Sequence, residues 1–340
     1  MGALVPLTNW HNPTKRRLEA VRAAHERDEA ALLELHQAFL ILKGRKRASL
    51  SPRTLELYRV GVRDFLAWAW PPESPGPRVE ILKATSDDLD HWITELQTRG
   101  SHLGPEPTPL KPGSIATYLA AVRSFYRALV WAKATELPEV TAPRDPTPAH
   151  ERRPALPAEL YKKLLAHLES SCNPRDHLAV RLLGEAGLRI SEVVHLKFQD
   201  LHLDQRLLEV RGKGGKLRSV PLSKSLVDEL NGWLKLRLAY ARAGETRVLL
   251  NLGGRKGHGC GMSEKALREA LNRHYRDLGF PERYYGAHML RHTAGTRFYK
   301  TSRDLHATAR LLGHSNINTS AIYAKMDLEG LFEVVDRLED

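Results

Sequence analysis

The chain has 340 residues, 42% of them hydrophobic and 27% charged, which is enough for two cores in a globular protein. Two cysteines, Cys172 and Cys260, exclude a disulfide framework, argue against a cysteine-rich zinc site and suit a reducing compartment. A net charge of +12 and a pI near 9.7 ask for an acidic partner, nucleic acid being the commonest. The excess is uneven. Residues 1–150 carry 20 Lys+Arg against 17 Asp+Glu, and residues 151–340 carry 32 against 23. The last fourteen residues, DLEGLFEVVDRLED, reverse the trend with six acids and one Arg. No apolar run approaches the ~20 residues that cross a bilayer. The N-terminus lacks the basic head and apolar run of a signal peptide, so a cytoplasmic location without membrane contact is expected.

In chain order, residues 15–43 read as one helix with a broken stripe of Leu18, Val21, Leu32, Leu35, Phe39 and Leu42. After a short basic link, Ser51 and Pro52 give a start signal for a helix that buries Leu55, Tyr58, Val62, Phe65 and Leu66. A proline-rich loop follows, then a helix with a Thr85–Asp88 capping box and Gly100 as its stop. A loop over 101–112 has the look of an insertion. The next helix presents Ile115, Leu119, Val122, Tyr126 and Leu129 on one face. With no strand signal, this half is an all-helical domain over 46–136, preceded by a helical extension over 1–45. Residues 137–157 hold six prolines without periodicity and form a linker.

The remainder, 158–340, is helical with a small antiparallel sheet, so the chain as a whole is mainly α. Residues around DHLAVRLLGEAG form a helix stopped at Gly187, and another starts near Ser191 with Arg189 in the bend. RLLEVRG and RSVPL read as a hairpin joined by KGGK, with Lys213 at its mouth, and RVLLN is a candidate further strand. Helices are expected near 263–278, 287–299 and 303–312, and a last one from about Thr319.

The stretch GAHMLRHTAGTRFY, 286–299, places His288, Arg291 and His292 on nearly one helical face. Such cations need an anion opposite, whether a carboxylate of the protein, a counterion or a substrate phosphate. Guanidinium forks match phosphate oxygens, as Arg189 and Arg291 could do. Histidines such as His288 and His314 titrate near neutrality. A lysine on a glycine-flanked turn, Lys213, can protonate a leaving oxygen, and a phenol such as Tyr323 can serve as nucleophile once helped to lose its proton. Each also has an ordinary alternative. Arg189 can pair with Glu185 or Glu192, Lys213 can be solvated, His314 can favour a helix C-terminus, and Tyr323 can be core.

Four segments in order and spacing decide among these: GLRISEVVHL, RGKGGKLRSVPL, HMLRHTAGTRFY and LLGHSNINTSAIYAK. They resemble the tyrosine recombinase/integrase family, most of all its Xer branch. The intervals are 24 residues from Arg189 to Lys213, three from His288 to Arg291, 23 more to His314 and nine to Tyr323. All six catalytic positions are filled. The resemblance covers about 155–325 clearly, and the first domain is more loosely similar to the family's SAM-like core-binding domain. It implies a two-domain clamp on double-stranded DNA and a site-specific recombinase that works without metal, ATP or other cofactor. In that chemistry Tyr323 attacks the scissile phosphate to leave a 3′-phosphotyrosyl link. Arg189, Arg291 and His314 hold the transition state, Lys213 protonates the leaving 5′-oxygen and His288 serves the tyrosine as acid/base. The branch implies chromosome or plasmid dimer resolution on nucleoid DNA. It further implies a homo-tetramer or paralogue hetero-tetramer joined through the C-terminal helix, with Leu328, Leu331, Phe332, Val335 and Leu338 on one side. Packing of that helix on its own domain stays open. So do a septal DNA translocase as activator, a phage or mobile-element integrase role, and topoisomerase IB-like relaxation.

Overall fold

The computed structural model describes residues 10–44, 50–104, 108–143, 154–212, 215, 217–253 and 257–313. The chain packs as two units, Met1–Pro146 and Thr147–Asp340.

The described part of the first unit is helical. Helix α1 (Pro13–His25) starts on Asn12, whose side chain accepts from the backbone N–H groups of Thr14 and Lys15. Helix α2 is Glu29–Lys43. The single helix expected over 15–43 is therefore two. Asp28 accepts from the Ala31 N–H and caps α2, and Arg27 turns the chain at φ 56°. A short acceptor beside the backbone competes with helix continuation, which explains the break. The stripe changes with it. Leu18 is 67% exposed, while Arg16, Ala20 and Ala23 form the buried face of α1. The small alanines permit close approach, and Arg16 is buried while donating to the Trp10 carbonyl at 3.1 Å.

Helix α3 (Pro52–Ala69) begins at the Ser51 cap. Helix α4 (Ser86–Thr98) begins at the reciprocal Thr85–Asp88 box, and α5 spans Pro112–Trp131. All five expected residues on the inner face of α5 are buried. Phe65 of α3 sits at the centre of this core, edge-on to Trp92 at 5.4 Å and to Tyr126 at 5.9 Å. The start of the loop after α4 is latched rather than loose. Buried Asp64 accepts from Trp92 Nε1, Ser101 Oγ and the His102 N–H at 3.1, 2.6 and 2.8 Å.

In the second unit α6 (Ala158–Ser170) and α7 (Pro174–Gly184) lead to α8 (Ile190–His195). Three antiparallel strands follow: β1 (Leu201–His202), β2 (Leu207–Arg211) and β3 (Leu217–Pro221), in that order across the sheet. The β2–β3 register pairs Leu208 with Val220 and Arg211 with Leu217, and both Leu208 and Val220 are buried, as period-two alternation requires. Residues 247–251 do not form the further strand considered for them. Their hydrogen bonds divide between two neighbours, Val248 N–H to the Leu196 carbonyl and the Leu249 carbonyl from Met262 N–H, leaving only isolated bridges. Helices α9 (Lys224–Arg237), α10 (Glu264–Asp277), α11 (Ala287–Ser302) and α12 (Leu305–Leu312) close the unit around a core containing Trp233, Leu271, Tyr275 and Leu290. The helix expected from Thr319, with its docking face, lies outside the described residues. Among the described residues no helix is long and apolar enough to cross a membrane.

Two helical glycines separate packing from propensity. A Cβ on Gly61 of α3 would lie 2.8 Å from Ala121 Cβ and 3.1 Å from Tyr118 Cα, whereas Gly232 of α9 is exposed and faces open space. Gly232→Ala is expected to stabilise by roughly 0.5–1 kcal/mol. Gly61→Ala is expected to destabilise by about 1–3 kcal/mol, because overpacking outweighs the propensity gain. Urea unfolding midpoints of the two variants check the opposite signs.

Candidate active site

The site grows from the bend between α7 and α8. Gly187 turns it at φ +66°, and a Cβ there would lie 2.6 Å from Leu312 Cδ2 of α12, so the bend and the end of α12 meet only across a glycine. Arg189 follows as the N-cap of α8. Glu192, at the third position of that helix, folds back to accept from the Arg189 N–H at 2.8 Å. A glutamate in the first turn is what an N-terminal helix dipole favours. The same fold-back turns the carboxylate toward three arginines.

Arg218 from β3 grips it with two nitrogens, Nη1 to Oε1 at 2.8 Å and Nη2 to Oε2 at 2.9 Å. Arg189 donates Nη1 to Oε1 at 2.8 Å, and Arg291 Nη1 from α11 stands 3.9 Å from Oε2. Burial alone would push this carboxyl up. The Arg218 and Arg189 hydrogen bonds and the Arg218 charge outweigh that and hold it at about 2. Glu192 is therefore an anion at any working pH, and one carboxylate among three guanidiniums leaves the locality positive.

The arginines also fix backbone. Arg291 is 3% exposed and donates to the carbonyls of Gly187 and Leu312. Arg218 Nε donates to the Leu311 carbonyl at 3.3 Å, and Arg189 Nη2 to the Gly313 carbonyl at 3.3 Å. Gly313 itself takes φ +62°, where a Cβ would lie 2.8 Å from Arg218 Cδ. Three carbonyls at the C-terminus of α12 thus receive guanidinium donors, where cations complement the helix dipole. Arg189 keeps a side chain about one-third exposed. His288 stands exposed one turn before Arg291, its ring 5.0 Å from that of His292.

Among the described residues the structure therefore unites Arg189 and Arg291 on one carboxylate and sets His288 on the same helix as Arg291. Lys213, His314 and Tyr323 lie outside the described residues. Their sequence neighbours are placed: Gly212 lines a groove with Glu192, Ser191 and His195, and Gly313 precedes His314. The anion facing Arg291 is, within the protein, Glu192. Of the two partners considered for Arg189 it is the one used, since Glu185 holds Arg181 at 2.9 Å. Sequence reasoning missed Arg218. Its signal was the strand's alternation, which puts Arg218 in phase with buried Val220 and therefore on the inner face.

Replacing Glu192 removes the counter-charge from three arginines, and breaking a buried pair in this way costs about 3–5 kcal/mol. Its depressed pKa makes this stabilisation complete above the ordinary value of 4.5 and lost as pH falls through about 2. Glu192→Gln is expected to unfold at lower urea than the parent near neutral pH, with the gap closing between those two values. Urea midpoints measured across that range check it.

The sequence model of the Phage integrase family matches residues 154–329, and that of the Phage integrase N-terminal SAM-like domain matches 33–133. The chain is 31% identical over 263 residues to a tyrosine recombinase XerC of Vibrio vulnificus, covering 75% of this chain and 78% of that protein. It is 30% identical over 312 residues to a tyrosine recombinase XerC of Pelobacter propionicus, covering 90% and 95%. Its fold is shared with the XerH site-specific recombinase bound to palindromic difH substrate, at TM-score 0.67 and 19% identity over 96% of this chain and 97% of that one. It is shared equally with the Tn1549 transposon integrase in complex with transposon right end DNA, at TM-score 0.67 and 18% identity over 91% and 99%. The chain therefore belongs to the phage integrase family, as a tyrosine recombinase of the Xer type that cleaves and rejoins DNA.

Proposed function

We propose that the Glu192-centred arginines receive the scissile phosphate of a specific double-stranded DNA site, and that Tyr323 is the nucleophile. The observation that carries this reading is the convergence of Arg189 and Arg291 on one buried carboxylate, with Arg291 anchored to a carbonyl 104 positions away. A carboxylate that orients guanidiniums before substrate arrives lets them stabilise developing charge without reorganising, which is how preorganised donors lower a barrier.

In this reading the Tyr323 oxygen bonds to phosphorus and the P–O5′ bond breaks. The phenol proton passes to His288, and Lys213 supplies the proton taken by the leaving 5′-oxygen. Arg189, Arg291 and His314 balance the charge on the non-bridging oxygens. The phosphotyrosyl link stores the energy of the broken phosphodiester bond, so attack by a 5′-hydroxyl of a partner strand rejoins DNA without ATP. These four donors supply what a divalent ion supplies elsewhere.

The biological role proposed is dimer resolution on chromosomal or plasmid DNA in the cytoplasm, supported by the XerC relatives at about 30% identity over up to 90% of this chain. A tetramer on DNA, joined through the apolar side of the acidic C-terminal segment, and an activating septal translocase belong to the same proposal.

Wild type and Tyr323→Phe are to be incubated in EDTA with sheared DNA of the source genome, and protein-linked fragments recovered under denaturing conditions and sequenced. A covalent adduct from wild type alone, enriched in one near-palindromic sequence, is expected. An equal adduct from Tyr323→Phe would overturn the assignment, and none from wild type with binding intact would leave a partner-dependent recombinase or an inert scaffold.

A further inference from the structure

A second cluster of chemistry-bearing side chains lies in the catalytic unit away from the arginines. His167 of α6 and His274 and Asp277 of α10 each offer one ligand atom, and these atoms all lie within 4.8 Å of one another. Asp277 follows His274 by three positions, one turn along α10, so both address the same face.

The geometry around His274 is that of a metal ligand with an orienting carboxylate behind it. His274 Nε2 lies 3.0 Å from Oδ2 of Asp176, a carboxylate only 2% exposed. Asp176 is held in turn by Arg175 at 2.7 Å and by Asn173 Nδ2 at 3.0 Å. Nε2 donates to this buried acceptor, so in the neutral ring Nδ1 carries the lone pair. That lone pair points at Nε2 of His167, 3.3 Å away, with the two rings inclined at 67°. A tetrahedral cation with bonds of ~2.0–2.1 Å separates two of its nitrogen ligands by about 3.4 Å. The carboxylate behind the histidine is the partner that metal-bound imidazoles usually have. Nearby, Lys163 Nζ is engaged by the Leu278 carbonyl at 3.3 Å.

We infer that His167 Nε2, His274 Nδ1 and an Asp277 carboxylate oxygen bind a divalent first-row transition ion, zinc being the best fit to two imidazoles and a carboxylate. Asp176 positions His274 for it. His167 is half-buried and Asp277 exposed, so water can complete the coordination. The ion ties α6, the first helix of the catalytic unit, to α10, the helix that leads into α11 with His288 and Arg291. It is a clamp between helices, separate from the DNA chemistry, because none of its ligands belongs to the arginine site.

The test uses the full-length, untagged chain, stripped with EDTA and dialysed. Cobalt(II) is titrated in and followed by its visible absorption, zinc is used to displace it, and thermal unfolding is recorded with and without zinc. The expected result is one equivalent of cobalt with a tetrahedral-type spectrum, displaced by zinc. A zinc-dependent rise in Tm of roughly 5 °C or more is expected at about a hundredfold excess over Kd. His274→Ala would take one of its partners from buried Asp176, so the discriminating variants are His167→Gln and Asp277→Asn, which change more accessible groups. Each should lose the cobalt spectrum and the zinc-dependent shift in Tm. Wild type showing neither signal would overturn the proposal and leave a simple His167–His274 hydrogen bond. Full binding retained in both variants would also overturn it, placing the ion on others of the sixteen histidines.

Discussion

A buried carboxylate shared by three arginines is the constraint around which the catalytic unit is arranged. Glu192 joins the bend before α8, the inner face of β3 and the first turns of α11, while the same arginines hold the carbonyls that end α12. Desolvating so many charges is costly, and a well-packed apolar cluster would often be as stable. What the charged cluster provides instead is placement. Guanidiniums that already have a rigid anion beneath them and fixed carbonyls beside them keep their orientation whether or not a phosphate is present.

The same interactions carry information between distant parts of the sequence. Arg218 links the strand that follows Lys213 in sequence to the last turn of α12, at Leu311, three residues before His314. Gly187 and Gly313 permit this, each at positive φ and each with a neighbour where a Cβ would lie. A side chain at either would push α12 from the arginines. Small residues at these two points are as necessary to the site as the charged ones.

Much of this was legible in the sequence. Caps at Ser51 and Thr85, the inner face of α5 and the β2–β3 hairpin follow from local rules, because each is decided within a few residues. The break between α1 and α2 was legible in principle, in Asp28 followed by three helix-forming residues, but a continuing apolar stripe obscured it. The failure of 247–251 to form a strand was not legible, since it depends on two separate stretches competing for its backbone. At the site, the family resemblance of the four segments singled out Arg189, His288 and Arg291 as candidates. They could not choose between Glu185 and Glu192, because that choice is settled by which way the α7–α8 bend turns, a long-range matter. Arg218 was open to discovery from strand phase alone.

The central claim is that guanidiniums oriented by Glu192 face the charged oxygens of a DNA phosphate. The direct measurement is the cleavage rate of wild type and Arg189→Ala on two versions of the recombination site, one with the natural scissile phosphate and one with a methylphosphonate that lacks a non-bridging charge. The account requires Arg189→Ala to lose cleavage on phosphate and regain it on the neutral group, since the charge that the arginine balances is then absent. Equal inactivity of the variant on both substrates would contradict it, and would make Arg189 a structural partner of Glu192 alone.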